Sequence, residues 1–175
     1  MRAGCVLQVD PASGMIDQVH AKIAAAGPGC EMRAVCADLL DDAGPLERES
    51  FDLVVSKLAF HHISAVSSMV AAVWPLLKSG GRLCICDLEA TSNVRLFHLK
   101  EQTLGVEYEH DGFSEEAARE WFEGGDEAWA GVEVARVGFS QPTSAGWVAA
   151  GHNSIQAFTM MLVSAVKVGC HPVFD

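Results

Sequence analysis

Phe51-Asp52-Leu53-Val54-Val55-Ser56 is a short, nearly continuous apolar run, and what flanks it decides the fold. A run of this kind is the pattern of a strand buried on both faces of a parallel sheet. Downstream, Val66, Met69, Val70, Val73, Trp74 and Leu77 recur at three- and four-residue spacing, which draws one apolar stripe along a helix. Pro75 falls inside that stripe. It lacks an N–H and clashes with the preceding turn, at a cost of about 3 kcal/mol, so a kink or an early stop is expected there. Lys78-Ser79-Gly80-Gly81 then reads as a turn, and Arg82-Leu83-Cys84-Ile85-Cys86-Asp87 as the next strand. Strand, helix and strand in this order make up an α/β domain with a mainly parallel sheet.

The same alternation extends in both directions. Cys5–Val9 is a short apolar run ending at Asp10-Pro11, and Met15, Ile16, Val19 and Ile23 place a stripe on a helix that stops at Gly27-Pro28-Gly29. Met32–Cys36 reads as a further strand, closed by Ala37-Asp38. Residues 88–113 read as irregular, with room for a short helix. Ser114 is placed to cap a helix running to about Gly124, with Ala117, Ala118, Trp121 and Phe122 turned inward. Val132–Phe139 and Ala157–Val168 supply two last strands, expected as a hairpin-like antiparallel pair at the sheet edge because no long helical pattern separates them.

Composition narrows the function. The chain has 175 residues, half of them hydrophobic, and 12 Lys+Arg against 23 Asp+Glu give a net charge of −11. Length and apolar content predict one globular domain, residues 1–175, with a packed core. The acidic balance argues against a nucleic-acid partner, whose phosphates are held by clustered Lys and Arg. The six cysteines contain no CxxC pair and read as free buried thiols. No signal-like start is present. The longest apolar stretch, Ala157 to Val168, falls short of the roughly 20 residues that span a bilayer, and a cytoplasmic protein is expected. Between Glu107 and Glu127 nine acids accompany one base, Arg119, which reads as a solvated helix face.

Three acids, Asp10, Asp38 and Asp87, lie at or just after predicted strand ends. Ligands in open α/β sheets bind outside the carboxyl ends of the strands, and one carboxylate can accept from both hydroxyls of a ribose. A helix cap is the ordinary alternative for each acid. His98, His110, His152 and His171 lack zinc-ligand spacing, and Ser13-Gly14 lacks the setting of a hydrolase nucleophile.

Five stretches carry a resemblance: Val9-Asp10-Pro11-Ala12-Ser13-Gly14-Met15, Ala37-Asp38-Leu39, Ser50–Ser56, Leu58-Ala59-Phe60-His61-His62-Ile63 and Leu76–Leu83. In order and spacing the chain resembles the class I S-adenosylmethionine-dependent methyltransferases, particularly the small-molecule group that includes ubiquinone and menaquinone biosynthesis enzymes. The likeness extends more loosely to Gly105-Val106 with His110-Asp111-Gly112-Phe113 and to the last apolar strand. The resemblance implies a Rossmann-like sheet with helices on both faces, S-adenosylmethionine as cofactor and a small-molecule methyl acceptor. It implies that Asp10 holds the adenosyl ribose, Met15 packs near the adenine, Asp38 accepts from the adenine amine with the Leu39 backbone beside it, and Ser56 lines the floor under the sulfonium. His61 and His62 follow at the place where such enzymes put substrate-facing groups, and histidine is a good general base near neutral pH. Their alternative reading is a packed or solvated helix-entry pair.

The family places another strand and a glycine-rich loop ahead of the ribose acid, whereas here nine residues precede Asp10. The expectation is a truncated domain, with impaired methyl transfer and unpaired sheet edges that favour self-association. A non-catalytic, partner-binding subunit is the alternative. A nicotinamide-dependent enzyme is a third reading, since it too would place an acid after its second strand.

Overall fold

The computed structural model describes residues 4–42, 44–91, 97, 109–123, 125, 128–142 and 155–169. The chain divides into two compact units, Met1–Leu46 and Glu47–Asp175.

In the first unit, strands β1 (Val6–Asp10) and β2 (Met32–Cys36) flank helix α1 (Ser13–Ala26). The strands pair in parallel, with Asp10 opposite Cys36, so both end on the same side. Helix α1 stops where the sequence predicts, because Gly27 takes φ +79°, a left-handed conformation that costs a glycine little.

The second unit holds β3 (Phe51–Lys57), a 3₁₀ turn (Phe60–His62), α2 (Val66–Val73), β4 (Leu77–Leu88), α3 (Glu115–Glu120), β5 (Trp129–Pro142) and β6 (Ile155–Lys167). Its sheet runs β3-β4-β6-β5. β3 and β4 are parallel, whereas β4–β6 and β6–β5 are antiparallel, so the expected antiparallel terminal pair is present with β5 on the edge. Helix α2 ends at Val73, and Trp74-Pro75-Leu76 continues as a 3₁₀ turn, the early stop that proline imposes.

Two expectations need correction. Lys78–Gly81 is not a turn preceding a strand: it is an excursion inside β4, which pairs Leu77 with Phe51 and resumes at Arg82 opposite Leu53. Gly81 is required there, since a Cβ would stand 2.9 Å from the Lys78 carbonyl oxygen and 3.1 Å from that of Phe51. Strand β3 is also not buried on both faces, because Leu53 and Val55 are 52% and 62% exposed. They share a face with Cys84 and Cys86, both half-buried, and with Leu162 and Val137 across the sheet. β3 pairs with β4 on one side and with no described strand on the other.

The core lies on the opposite face. Leu83, Ile85 and Asp87 of β4 stand opposite Ala165, Val163 and Met161 of β6, all buried. Val70 and Val73 of α2 add to it, as do Phe60, Phe113, Ala118 and Trp121. Lys167 closes one end of β6: its buried Nζ donates to the Leu77 carbonyl at 2.8 Å and lies 4.0 Å from the Trp74 ring centroid, within cation–π range. The five described cysteines are free, but none is buried: Cys5 and Cys36 are exposed, and Cys30, Cys84 and Cys86 are half-buried. No helix among the described residues is long and apolar enough to cross a membrane.

Candidate active site

In the first unit the parallel register sets Asp10 and Asp38 at the same end of neighbouring strands, Asp38 two residues past the end of β2. Asp10 is half-buried, and its Oδ1 accepts from the Ala12 N–H at 2.8 Å, which fixes the turn into α1. Its other oxygen has no protein partner among the described residues and keeps acceptor capacity for a hydroxyl. Asp38, exposed, likewise accepts from the Leu40 N–H at 2.9 Å through one oxygen only. Met15, on the first turn of α1, is 49% exposed, which leaves its side chain available for contact with a flat ring. Leu39 is half-buried beside Asp38.

In the second unit Ser56 sits near the end of β3, half-buried and paired with Ile85. The chain then turns sharply. Leu58 adopts φ +52°, a conformation that L side chains reach only with strain, held by its N–H donating to the Cys86 carbonyl at 2.8 Å. This turn delivers Phe60, His61 and His62.

The third strand-end acid, Asp87, faces inward rather than toward a ligand. It is 2% exposed and accepts from four donors. Oδ2 takes the N–H groups of Phe60 and His61 at 2.8 and 3.3 Å, and Oδ1 takes His61 Nδ1 and the Leu88 N–H, both at 2.7 Å. His61, singled out as substrate-facing, is 1% exposed with its imidazole held by Asp87, the packed alternative. The half-buried His62 ring lies against it, centroids 4.1 Å apart. The His61 carbonyl accepts from the N–H groups of Glu109 and His110, at 2.9 and 3.1 Å, so the pair also anchors the segment before α3.

That segment contributes a residue to which the sequence reading gave no role in the site. His110 Nε2 lies 3.0 Å from the Ile63 carbonyl oxygen, and its ring packs against Phe113, centroids 5.0 Å apart. Beside it a cavity of 310 Å³ is lined by Ser64, Ser67, Ser68, His110, Phe113 and Trp121. No group of three or more potential ligands for a metal ion occurs among the described residues. Burial pushes the Cys84 and Cys86 thiols up, each tempered by a neighbouring cation, Arg82 and Lys57 respectively, which marks both as poor nucleophiles.

Residues 2–85 match the family model described as a methyltransferase domain. No curated protein matches the chain. Among solved structures, a proposed methyltransferase from Bacillus halodurans aligns at 16% identity and a TM-score of 0.67, over 94% of this chain and 83% of its own. An S-adenosylmethionine-dependent methyltransferase from Mesorhizobium loti aligns at 20% identity and 0.59, over 94% and 81%. One from Methanosarcina mazei aligns at 14% and 0.63, over 93% and 82%. The chain therefore has the α/β fold of these methyltransferases.

Proposed function

We propose that the chain binds S-adenosylmethionine and transfers its methyl group to a small-molecule acceptor. The observation that carries this reading is the pair of carboxylates at the ends of β1 and β2, each with one oxygen committed to a backbone N–H and one available. Asp10 accepts from the ribose hydroxyls and Asp38 from the adenine amine, beside the Leu39 backbone, while exposed Met15 covers the adenine face. In the second unit, Ser56 and His62 are the residues that the resemblance assigns to the cofactor and to the acceptor. The transfer is an in-line displacement that requires alignment more than acid–base chemistry, so a site built from positioning groups suffices.

A second reading, a methyltransferase-like subunit that binds a partner or a second copy, is favoured by the edge of β3 that pairs with no described strand and by Leu53 and Val55 exposed beside it. Calorimetric titration with S-adenosylmethionine and, separately, with NAD tests the first. Saturable binding of the sulfonium compound with no heat from NAD is expected; preference for NAD overturns it. Sedimentation at rising concentration tests the second, which a monomer throughout leaves without support for self-association.

A further inference from the structure

We infer that a second cavity of the second unit binds an alkylated ammonium cation against aromatic rings, with Glu123 as the counter-charge. This cavity has a volume of 270 Å³, close to the roughly 300 Å³ at which small-ligand sites begin, and is lined by Trp121, Phe122, Glu123, Trp129, Ser67 and Ser68. It adjoins the 310 Å³ cavity, with which it shares Ser67, Ser68 and Trp121. Helix α2, the turn after α3 and the start of β5 build it, all within the second unit. Nothing is required of the first unit or of the proposed methyl transfer.

The rings are in place before a ligand arrives. Trp121 is buried and meets Phe113 edge to face, centroids 4.8 Å apart, and Phe60 at 5.9 Å. Half-buried Trp129 stands at 81° to buried Phe122, centroids 5.3 Å apart. The chain keeps turning after α3: the N–H groups of Phe122 and Glu123 donate to the carbonyls of Arg119 and Glu120, each at 3.1 Å, which fixes the backbone of Glu123. Aromatic faces attract cations, those of tryptophan most strongly. Glu123 is exposed and is the one charged side chain among the described lining residues. Arg119, the one base between Glu107 and Glu127, is committed to Glu115 and to the Val132 carbonyl, so it does not neutralise Glu123. A lining with a carboxylate and no cation disfavours an anion, and a neutral apolar ligand would take water from that carboxylate without replacing it. A primary ammonium brings three N–H donors that aromatic walls satisfy poorly. An alkylated one presents carbon to the rings and charge to the rings and carboxylate together. Exposed Ser67 and Ser68 offer hydroxyls to a polar tail.

The test uses choline, with 3,3-dimethylbutan-1-ol as the neutral compound of the same shape, each titrated into the full chain at constant ionic strength. Proton–nitrogen spectra should show the indole N–H signals of Trp121 and Trp129 moving with choline. The affinity for choline should exceed that for the neutral alcohol at least tenfold. Glu123→Gln, which keeps shape at an exposed position, should weaken choline about threefold or more and leave the alcohol unchanged. Trp129→Leu should abolish the preference, and the α2 and β4 signals report whether that variant stays folded. Equal binding of choline and the alcohol by the native chain, indole signals that choline does not move, or choline affinity unaltered in Glu123→Gln would each overturn the assignment. No cofactor enters these measurements, so they and the S-adenosylmethionine titration can each fail alone.

Discussion

Asp87→Asn is the sharpest probe of how the second unit is held, because the substitution keeps shape and removes one acceptor. Oδ1 and Oδ2 each serve two donors in a site 2% exposed. With the amide nitrogen at the Oδ1 position, it faces the Leu88 N–H, and His61 must turn acceptor at Nδ1 with its proton moved to Nε2. With the nitrogen at the Oδ2 position, the N–H groups of Phe60 and His61 both lose their acceptor. The first orientation orphans the Leu88 N–H and moves a proton to the buried Nε2, and the second orphans two N–H groups, so at least one buried donor loses its acceptor either way. One buried orphan costs about 1–3 kcal/mol, with the weaker neutral acceptor adding to it. Urea unfolding should therefore show a loss of about 1–3 kcal/mol. A loss below about 0.5 kcal/mol refutes the four-donor reasoning.

Two further predictions concern the segment around α3. Gly112 takes φ +86°, and a Cβ there would stand 2.9 Å from the Leu88 carbonyl oxygen and 3.0 Å from the Ala90 nitrogen. Gly112→Ala should cost about 2 kcal/mol or more in denaturant unfolding, since backbone on both sides cannot give way, and a neutral result contradicts the packing. Glu115 is held below the usual carboxylate range by hydrogen bonds from Arg119 and then Arg136. A lowered folded pKa means its contribution is present above the unfolded value and is lost as pH falls through the folded one. The melting temperature of the native chain should thus fall more steeply than that of Glu115→Gln below about pH 4.5, and parallel profiles contradict this.

Features that depend on near neighbours were legible in the sequence. The stop of α1 at Gly27, the end of α2 before Pro75 and the Ser114 cap, whose Oγ accepts from the Ala117 N–H at 3.1 Å, each need only residues a few positions away. The exposed face of β3 was not legible, because an apolar run reads the same whether or not a neighbour covers it. Nor was the excursion within β4, where Gly80-Gly81 looks like any turn until the register with β3 is known. At the candidate site, the placement of Asp10 and Asp38 followed from strand ends alone. His61 and Asp87 are 26 residues apart, and His110 and Ile63 are 47 apart. Only the tertiary fold turns the former into a buried pair and the latter into a hydrogen bond.

The central claim, that Asp10 holds the adenosyl ribose, is tested most directly by calorimetric titration of S-adenosylhomocysteine into the native chain and Asp10→Ala. Hydrogen bonds to a charged group contribute about 1.5–3 kcal/mol, so the variant should bind roughly ten- to a hundredfold more weakly. Equal affinities for the two proteins would contradict the account.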